Sequence, residues 1–309
     1  MSPFDPGSPD RICILLNPGS GKQGDARLDE TVHAFAQVHP DRVKVHELRE
    51  AEAPDAAARA AVEDGYGTIV AAGGDGTIGA VADALHGTDA RLGILPMGTF
   101  NFFARGLGIP LDIEQALALL LEGRARPVMV AEVNGKLFLN NASLGVYPAI
   151  LEMREDVYRR WGRSQIAAYW SVLLTLVGFR RARTVRVVVD GKRRRRKTPL
   201  IFVAHSAYQL EEFGLDGADY IRNGAFAVFL APDVGRWGLL KYAILLMGRS
   251  MTQNRDFELL HGHEVDVEGQ GRWLVARDGE REKMRAPIRF RQRRDALQVI
   301  TPDAREGAG

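Results

Sequence analysis

Asp75 stands among glycines. Gly73 and Gly74 precede it and Gly76 and Thr77 follow, within the run TIVAAGGDGTIGAV at 68–81. Glycines let a backbone approach a phosphate closely, yet a bare carboxylate would repel one. Either Asp75 is a solvated turn residue, or a cation held by Asp75 comes with the phosphate. A second glycine loop, NPGSGK at 17–22, offers Asn17, Ser20, Gly21 and Lys22. Backbone N–H groups and an ammonium at a helix start attract anions. Its spacing is not that of a Walker A loop, because Leu16 stands four before Ser20 and Gln23 follows Lys22. Thr99 and Asn101 follow Gly98 in MGTFN, where they either cap the next helix or line an anion site. Asp278 and Glu280 flank Gly279 in ARDGERE. Asp-Gly alone reads as a hairpin turn.

These residues need elements to hold them. Short apolar runs at 11–16, 43–48, 68–72 and 92–95 alternate with helical patterns at 25–38, 55–63, 77–85 and 113–122. That alternation predicts an α/β unit, a doubly wound parallel sheet covered by helices. Ligands of such sheets bind at the carboxyl ends of strands, where both glycine clusters fall. From Pro127 the pattern becomes strand after strand: 128–133, 136–140, 185–190, 199–204, 225–230, 272–276 and 288–291. Asn134-Gly135, Asp190-Gly191 and Asp278-Gly279 are hairpin dipeptides. A mainly antiparallel, β-rich second domain is expected, interrupted by helical segments at 153–177 and 239–260. The expected division is 1–127, 128–301 and a disordered tail at 302–309.

The run GDGTIG at 74–79 matches a dinucleotide fingerprint, but the match fails on two counts. No acid follows about 20 residues on to hold a ribose, since that region reads RLGILPMGT. Asp75 would also sit against the pyrophosphate.

The 309 residues are 46% hydrophobic and carry a net charge of only +2, which is not the balance of a general nucleic-acid binder. The positive charge is concentrated, however, in six consecutive basic residues, Lys192 to Lys197. This run is expected as an exposed hairpin tip, or as a patch attracted to anionic lipid heads. The single cysteine, Cys13, allows no intrachain disulfide and sits in a buried-strand pattern, which fits a reducing compartment. The first ten residues lack a basic region followed by an apolar run. The longest apolar stretch, 166–179, is short of the roughly 20 residues a membrane-crossing helix needs. His261 and His263 have no third ligand nearby in sequence, so a metal site there is not expected.

Four segments in order, NPGSGK, GGDGT, LPMGTFNFFARGLGIP and the DGE at 278–280, resemble the soluble diacylglycerol-kinase-type lipid kinases. That family includes sphingosine kinases and is distantly similar to NAD kinases. The resemblance covers nearly the whole chain. It implies that the GGDGT turn binds ATP phosphates with Mg²⁺, with Asp75 facing the metal. It also implies that Gly98, Thr99 and Asn101 line the nucleotide cleft, and that Asp278 is the base taking the lipid hydroxyl's proton, with Glu280 nearby. Phosphoryl transfer depends mainly on positioning and charge neutralisation, which suits such a set.

The chain departs from that pattern in three places. Phe102 stands where relatives often carry Asp or His, Met129 where a strand often carries Asp, and Arg222-Asn223-Gly224 where an Asp-Asp-Gly segment supports a structural metal. The expectation is an ATP- and Mg²⁺-dependent kinase of a diacylglycerol-like or long-chain lipid. Its partners are a lipid alcohol and a membrane surface, in a cytoplasmic, membrane-peripheral setting. A homodimer is left open, and no nucleic acid is expected. The alternatives are a NAD-kinase-like enzyme and an inactive nucleotide- or lipid-binding protein.

Overall fold

A computed structural model describes residues 11–18, 26–49, 51–145, 182–234 and 257–303. The chain divides into two compact units. Unit 1 is Met1–Val130 with Arg293–Gly309, and unit 2 is Ala131–Gln292. The return of the chain to unit 1 at its end has no signal in the order of the elements.

In unit 1 the strands β1 (Ile12–Leu16), β2 (Val43–Glu47), β3 (Thr68–Gly73) and β4 (Arg91–Pro96) lie parallel in the order β2-β1-β3-β4. Every residue of β1 and β3 is buried. Strands covered on both faces have no solvent side, so they read as continuous apolar runs rather than alternating ones. The helices are α1 (Ala26–Val38), α2 (Pro54–Glu63), α3 (Asp75–Leu85), the short α4 (Phe102–Gly106) and α5 (Ile113–Glu122). Val32 of α1 and Leu117 and Leu120 of α5 pack with Ile14, Val70 and Leu95 of the sheet. Asp112 starts α5 by accepting the Gln115 N–H at 3.0 Å. Cys13 is 3% exposed, and burial pushes its thiol up to about 11, so it is inert at neutral pH.

Two strands run from one unit into the other: β5 (Arg124–Val133) and β16 (Ile288–Thr301). The later part of β16 lies parallel to β4, with Gln298 opposite Arg91. The sequence pattern marks only 288–291 as strand. It misses the rest because the stretch RQRRDA carries charges where an alternating pattern would show apolar residues.

Unit 2 is antiparallel. One sheet contains β13 (Val265–Glu268) between β16 and β8 (Arg183–Val189), with β9 (Lys192–Thr198) beyond β8. The short β6 (Lys136–Phe138) pairs with β5. The other sheet has the order β12-β11-β10-β7-β14-β15. Its strands are β7 (Asn141–Gly145), β10 (Leu200–Ala204), β11 (Phe226–Leu230), β12 (Glu258–Gly262), β14 (Arg272–Arg277) and β15 (Glu280–Arg285). The inner faces meet in one cluster that includes Phe138, Val187, Val203, Phe226 and Phe290. Phe138 and Phe290 meet edge to face, with centroids 6.2 Å apart. Short helices α6 (Ala207–Glu212) and α7 (Ala218–Arg222) complete the unit.

All three expected hairpin dipeptides turn with positive φ at both residues: 48° and 80° at Asn134-Gly135, 46° and 76° at Asp190-Gly191, and 46° and 93° at Asp278-Gly279. This is the primed turn whose twist matches the strands it joins.

Several expectations are corrected. Residues 258–260 are strand β12, not the end of a helix, because they pair antiparallel with β11. The basic run is not a hairpin tip. It is strand β9, paired along its length with β8, and only Asp190-Gly191 forms the tip. Strands β7, β13 and β15 were not anticipated, and β15 (EREKMR) buries little besides Met284. An edge strand needs few apolar residues, since its partner's backbone holds it. The segments at 153–177 and 166–179, positions 239–256 and the end of the tail lie outside the described residues.

Arg196 joins the two sheets of unit 2. Its Nε donates to Glu258 Oε2 at 2.6 Å and its Nη2 to Oε1 at 2.9 Å. The Arg196 hydrogen bond, more than its charge, holds the Glu258 carboxyl below the usual glutamate range. A depressed carboxyl stabilises the fold above its unfolded value of about 4.3, and the contribution is lost as pH falls through the lower folded value. A Glu258→Gln protein is therefore expected to be less stable at pH 7 by about 0.5–1 kcal/mol, the range for an exposed bidentate pair. It should lose less stability than wild type between about pH 4 and 2. Parallel acid-denaturation curves for the two proteins would refute this.

Candidate active site

The order β2-β1-β3-β4 reverses direction between β1 and β3, so their carboxyl ends open a crevice. Asn17 follows β1 and Gly73 ends β3. The two ends are joined directly: Asn17 N–H donates to Ala72 O at 3.0 Å, and Asn17 Nδ2 donates to Thr77 Oγ1 at 2.9 Å. Thr77 is buried one turn into α3.

The loops after β3 and β4 touch. A Cβ on Gly98 would lie 2.5 Å from the Gly74 Cα, and a Cβ on Gly74 would lie 3.3 Å from the Gly98 Cα. Neither glycine has positive φ, so the requirement is space. With no side chains there, the two backbones form one continuous polar surface. Gly98→Ala must push them apart. It is expected to destabilise unit 1 by about 1–3 kcal/mol, the usual cost of overpacking. Thermal denaturation of this variant checks it, and a wild-type melting temperature would refute the close approach.

Asp75 is the first helical residue of α3, with Gly74 as the extended cap. An acid there is favoured by the helix dipole. Its Oδ1 accepts the Phe103 N–H at 3.3 Å, which ties α3 to the start of α4. Asp75 is half-buried.

Asn101 corrects an expectation. It precedes α4 but caps nothing with its side chain; it adopts a left-handed conformation with φ of 52°. Its Oδ1 instead accepts the Gly98 N–H at 2.9 Å, and its Nδ2 donates to Gly98 O at 2.8 Å and Pro96 O at 3.3 Å. The side chain thus folds the loop back on itself and fixes Gly98. Thr99 is exposed at the tip and makes no cap for α4. Asn17, Gly73, Gly74, Asp75, Gly76, Thr77, Gly98 and Asn101 therefore gather at one end of one sheet. Ser20, Gly21 and Lys22 lie outside the described residues.

Asp278 belongs to unit 2. It is the first residue of the β14–β15 turn, and its carboxylate is clasped by three backbone N–H groups. Leu139 donates to Oδ2 at 2.6 Å, while Asn140 and Asn141 donate to Oδ1 at 2.8 and 3.1 Å. Its own N–H donates to Asn141 O at 2.9 Å. Asn141 Nδ2 in turn reaches Gln209 Oε1 on α6 at 2.9 Å. Sequence reasoning placed 136–140 in a strand and missed this clasp. The polar pair Asn140-Asn141 in an apolar stretch was the only available signal. Glu280 is exposed, the first residue of β15 opposite Arg277.

The positions that depart from the resemblance have other occupations. Phe102 is buried and stacks on Phe100 with centroids 5.2 Å apart. Arg222 pairs with Glu211 and Asp219. Met129 lies half-buried in β5. His261 stacks on Tyr220 at 3.9 Å, and His263 Nδ1 bonds Gly224 O at 2.8 Å.

The chain thus joins a parallel α/β unit, with glycine loops at the carboxyl ends of its strands, to an antiparallel two-sheet unit. Residues 11–133 match the diacylglycerol kinase catalytic domain, and residues 143–301 match the YegS C-terminal NAD kinase beta sandwich-like domain. The chain belongs to this diacylglycerol kinase family of lipid kinases. It is 28% identical over 278 residues to a diacylglycerol kinase of Bacillus subtilis strain 168, covering 87% of this chain and 89% of that protein. It is 56% identical over 97 residues to the "Probable lipid kinase YegS-like" of Pseudomonas aeruginosa strain PAO1. That match covers 29% of this chain and 32% of the relative, so it spans about a third of the YegS-like protein. A crystal structure of a diacylglycerol kinase from Bacillus anthracis strain Sterne shares the fold. Its TM-score is 0.66 at 18% identity, over 96% of this chain and 98% of that one.

Proposed function

We propose that this chain transfers the γ-phosphoryl group of ATP to a hydroxyl of a diacylglycerol-like or long-chain lipid, with Mg²⁺ as the accompanying cation. The observation that carries the reading is the contact of Gly74 with Gly98 beside Asp75 at the head of α3. It sets the first turn of α3, whose backbone N–H groups have no acceptor within the helix, and one carboxylate at the same place.

The donor set suits Mg²⁺. Among the described residues no group of three or more His, Cys, Asp or Glu side chains is positioned for a metal. A hard cation that takes few protein carboxylates and completes its shell with phosphate oxygens and water fits one aspartate. When bound, the ion neutralises charge developing on the phosphates. Asp75 would hold it. Asn17 and Thr77 fix the distance between β1 and α3, and Asn101 keeps the Gly98 loop in register. Ser20, Gly21 and Lys22 are proposed, from the sequence, to add further anion contacts.

Asp278 is proposed to accept the proton of the lipid hydroxyl. Three backbone N–H groups hold the carboxylate in its ionised form and in one orientation, as a proton acceptor requires. The clasp also favours a second reading, in which Asp278 only positions the 139–141 segment. Glu280 is proposed to assist nearby. The setting proposed is cytoplasmic and membrane-peripheral, with a homodimer as an arrangement to be measured. No described helix is long and apolar enough to cross a membrane.

The test is transfer of label from γ-labelled ATP to a panel of detergent-dispersed lipid alcohols, with NAD as a competing acceptor, with and without a Mg²⁺ chelator. Label on a lipid, lost with the chelator, is expected. Label on NAD alone, or on nothing, overturns the proposal.

A further inference from the structure

The six basic residues of β9 do not act as one patch, because a strand sends alternate side chains to opposite faces. On β8, Val185, Val187 and Val189 face the core. They are paired with Arg196, Arg194 and Lys192, so these three share the inner side. Arg196 there pairs closely with Glu258 at 2.6 Å and Arg194 more loosely at 3.8 Å, so one carboxylate offsets part of the charge on this side. The outer side carries Arg193, Arg195 and Lys197, opposite Val188, Arg186 and Thr184.

That outer side has an excess of positive charge. Arg195 stands directly across from Arg186, a like-charge pair that costs stability. Arg186 is relieved by Glu268 at 2.8 Å, and Arg193, 72% exposed, reaches the same carboxylate only at 3.8 Å. Lys197 pairs with Asp233 at 2.6 Å. Arg195 makes no ion pair among the described residues. Two carboxylates thus face four cations on this side, where Arg193 and Arg195 are exposed.

We infer that the outer face of β9, centred on Arg193 and Arg195 with Arg186, is a docking surface for the anionic phospholipid face of a bilayer. The cations lie on one side of one strand and complement an anionic partner that meets that side alone. The choice of a bilayer over a nucleic acid rests on the lipid substrate proposed above. The surface itself is read without ATP or turnover.

The experiment is co-sedimentation with vesicles of phosphatidylcholine containing phosphatidylserine, without nucleotide. Each cation near such a surface is worth about fivefold in partition. Arg193→Gln/Arg195→Gln is expected to weaken binding roughly tenfold or more. Arg194→Gln/Arg196→Gln removes the same charge and should weaken it by no more than about threefold, because those side chains lie on the opposite side of the strand from the docking surface. Binding should fall steeply with salt, since the Debye length is only about 8 Å at physiological ionic strength. Circular dichroism establishes that both variants are folded. Equal weakening by the two pairs, no weakening by either, or wild-type binding to short duplex DNA as tight as to vesicles would each overturn the inference. Turnover of detergent-dispersed lipid, measured in the same proteins, should not change between them. Its absence in wild type would count against the kinase reading and not against the surface.

Discussion

Asp75→Asn is expected to fold with nearly wild-type stability and to lose phosphoryl transfer by about 10²–10³-fold or more, the scale on which a group stabilising transferred charge acts. Asn keeps an oxygen where Oδ1 accepts the Phe103 N–H, so the tie between α3 and α4 survives. What it removes is the charge. Asp75→Ala removes both, and should add a stability loss of about 1 kcal/mol from the broken hydrogen bond and the lost helix-dipole interaction. If Asp75 holds Mg²⁺, the two variants fail equally in transfer and differ in melting temperature. Raising Mg²⁺ should partly restore Asp75→Asn and do little for wild type. If Asp75 is only the first residue of a helix, Asp75→Asn will turn over normally, and the metal assignment is gone.

The second large effect concerns Asp278, and here the structure changes what the obvious variant means. A turn aspartate in left-handed conformation would be replaced by Asn at little cost. The clasp forbids that economy. Asn can present one oxygen to the Asn140 and Asn141 N–H groups, but its amide then points two hydrogens at the Leu139 N–H, which donates to Oδ2 at 2.6 Å in the native protein. A donor left facing a donor costs about 1–3 kcal/mol. Asp278→Asn should therefore lower the melting temperature whatever its chemical role. The separation lies in transfer measured well below that temperature. As a base, Asp278 takes with it roughly 10²–10⁴-fold in turnover while ATP affinity holds. As a clasp alone, it leaves a folded fraction that transfers phosphate at close to the native rate. Gln209→Ala is the companion control, since it releases Asn141 from α6 without touching the carboxylate. It should lower stability and spare most of the turnover.

Much of this protein is legible in its sequence. The buried strands of unit 1 announce themselves because a strand covered on both faces must be apolar throughout, as ICILL and TIVAAG are. The hairpin turns announce themselves because few dipeptides accept positive φ twice. The glycines around Asp75 mark a surface where side chains would intrude, and the spacing of four motifs carries the family. Strands β9 and β15 were hidden because edge strands are held by a neighbour's backbone hydrogen bonds, which leave no mark on their own residues. Three further facts exist only in three dimensions. Asn101 folds back on Gly98 rather than capping α4, since its left-handed backbone aims the side chain at the preceding loop. Asp278 finds its three N–H donors about 138 residues away in the chain. The run of six cations is divided by the pleat into three on the side of Glu258, where Arg196 joins the two sheets, and three on the opposite side. Composition supplied the charges, but only the register of β9 on β8, set by which valines must face the core, decided which of them remain available.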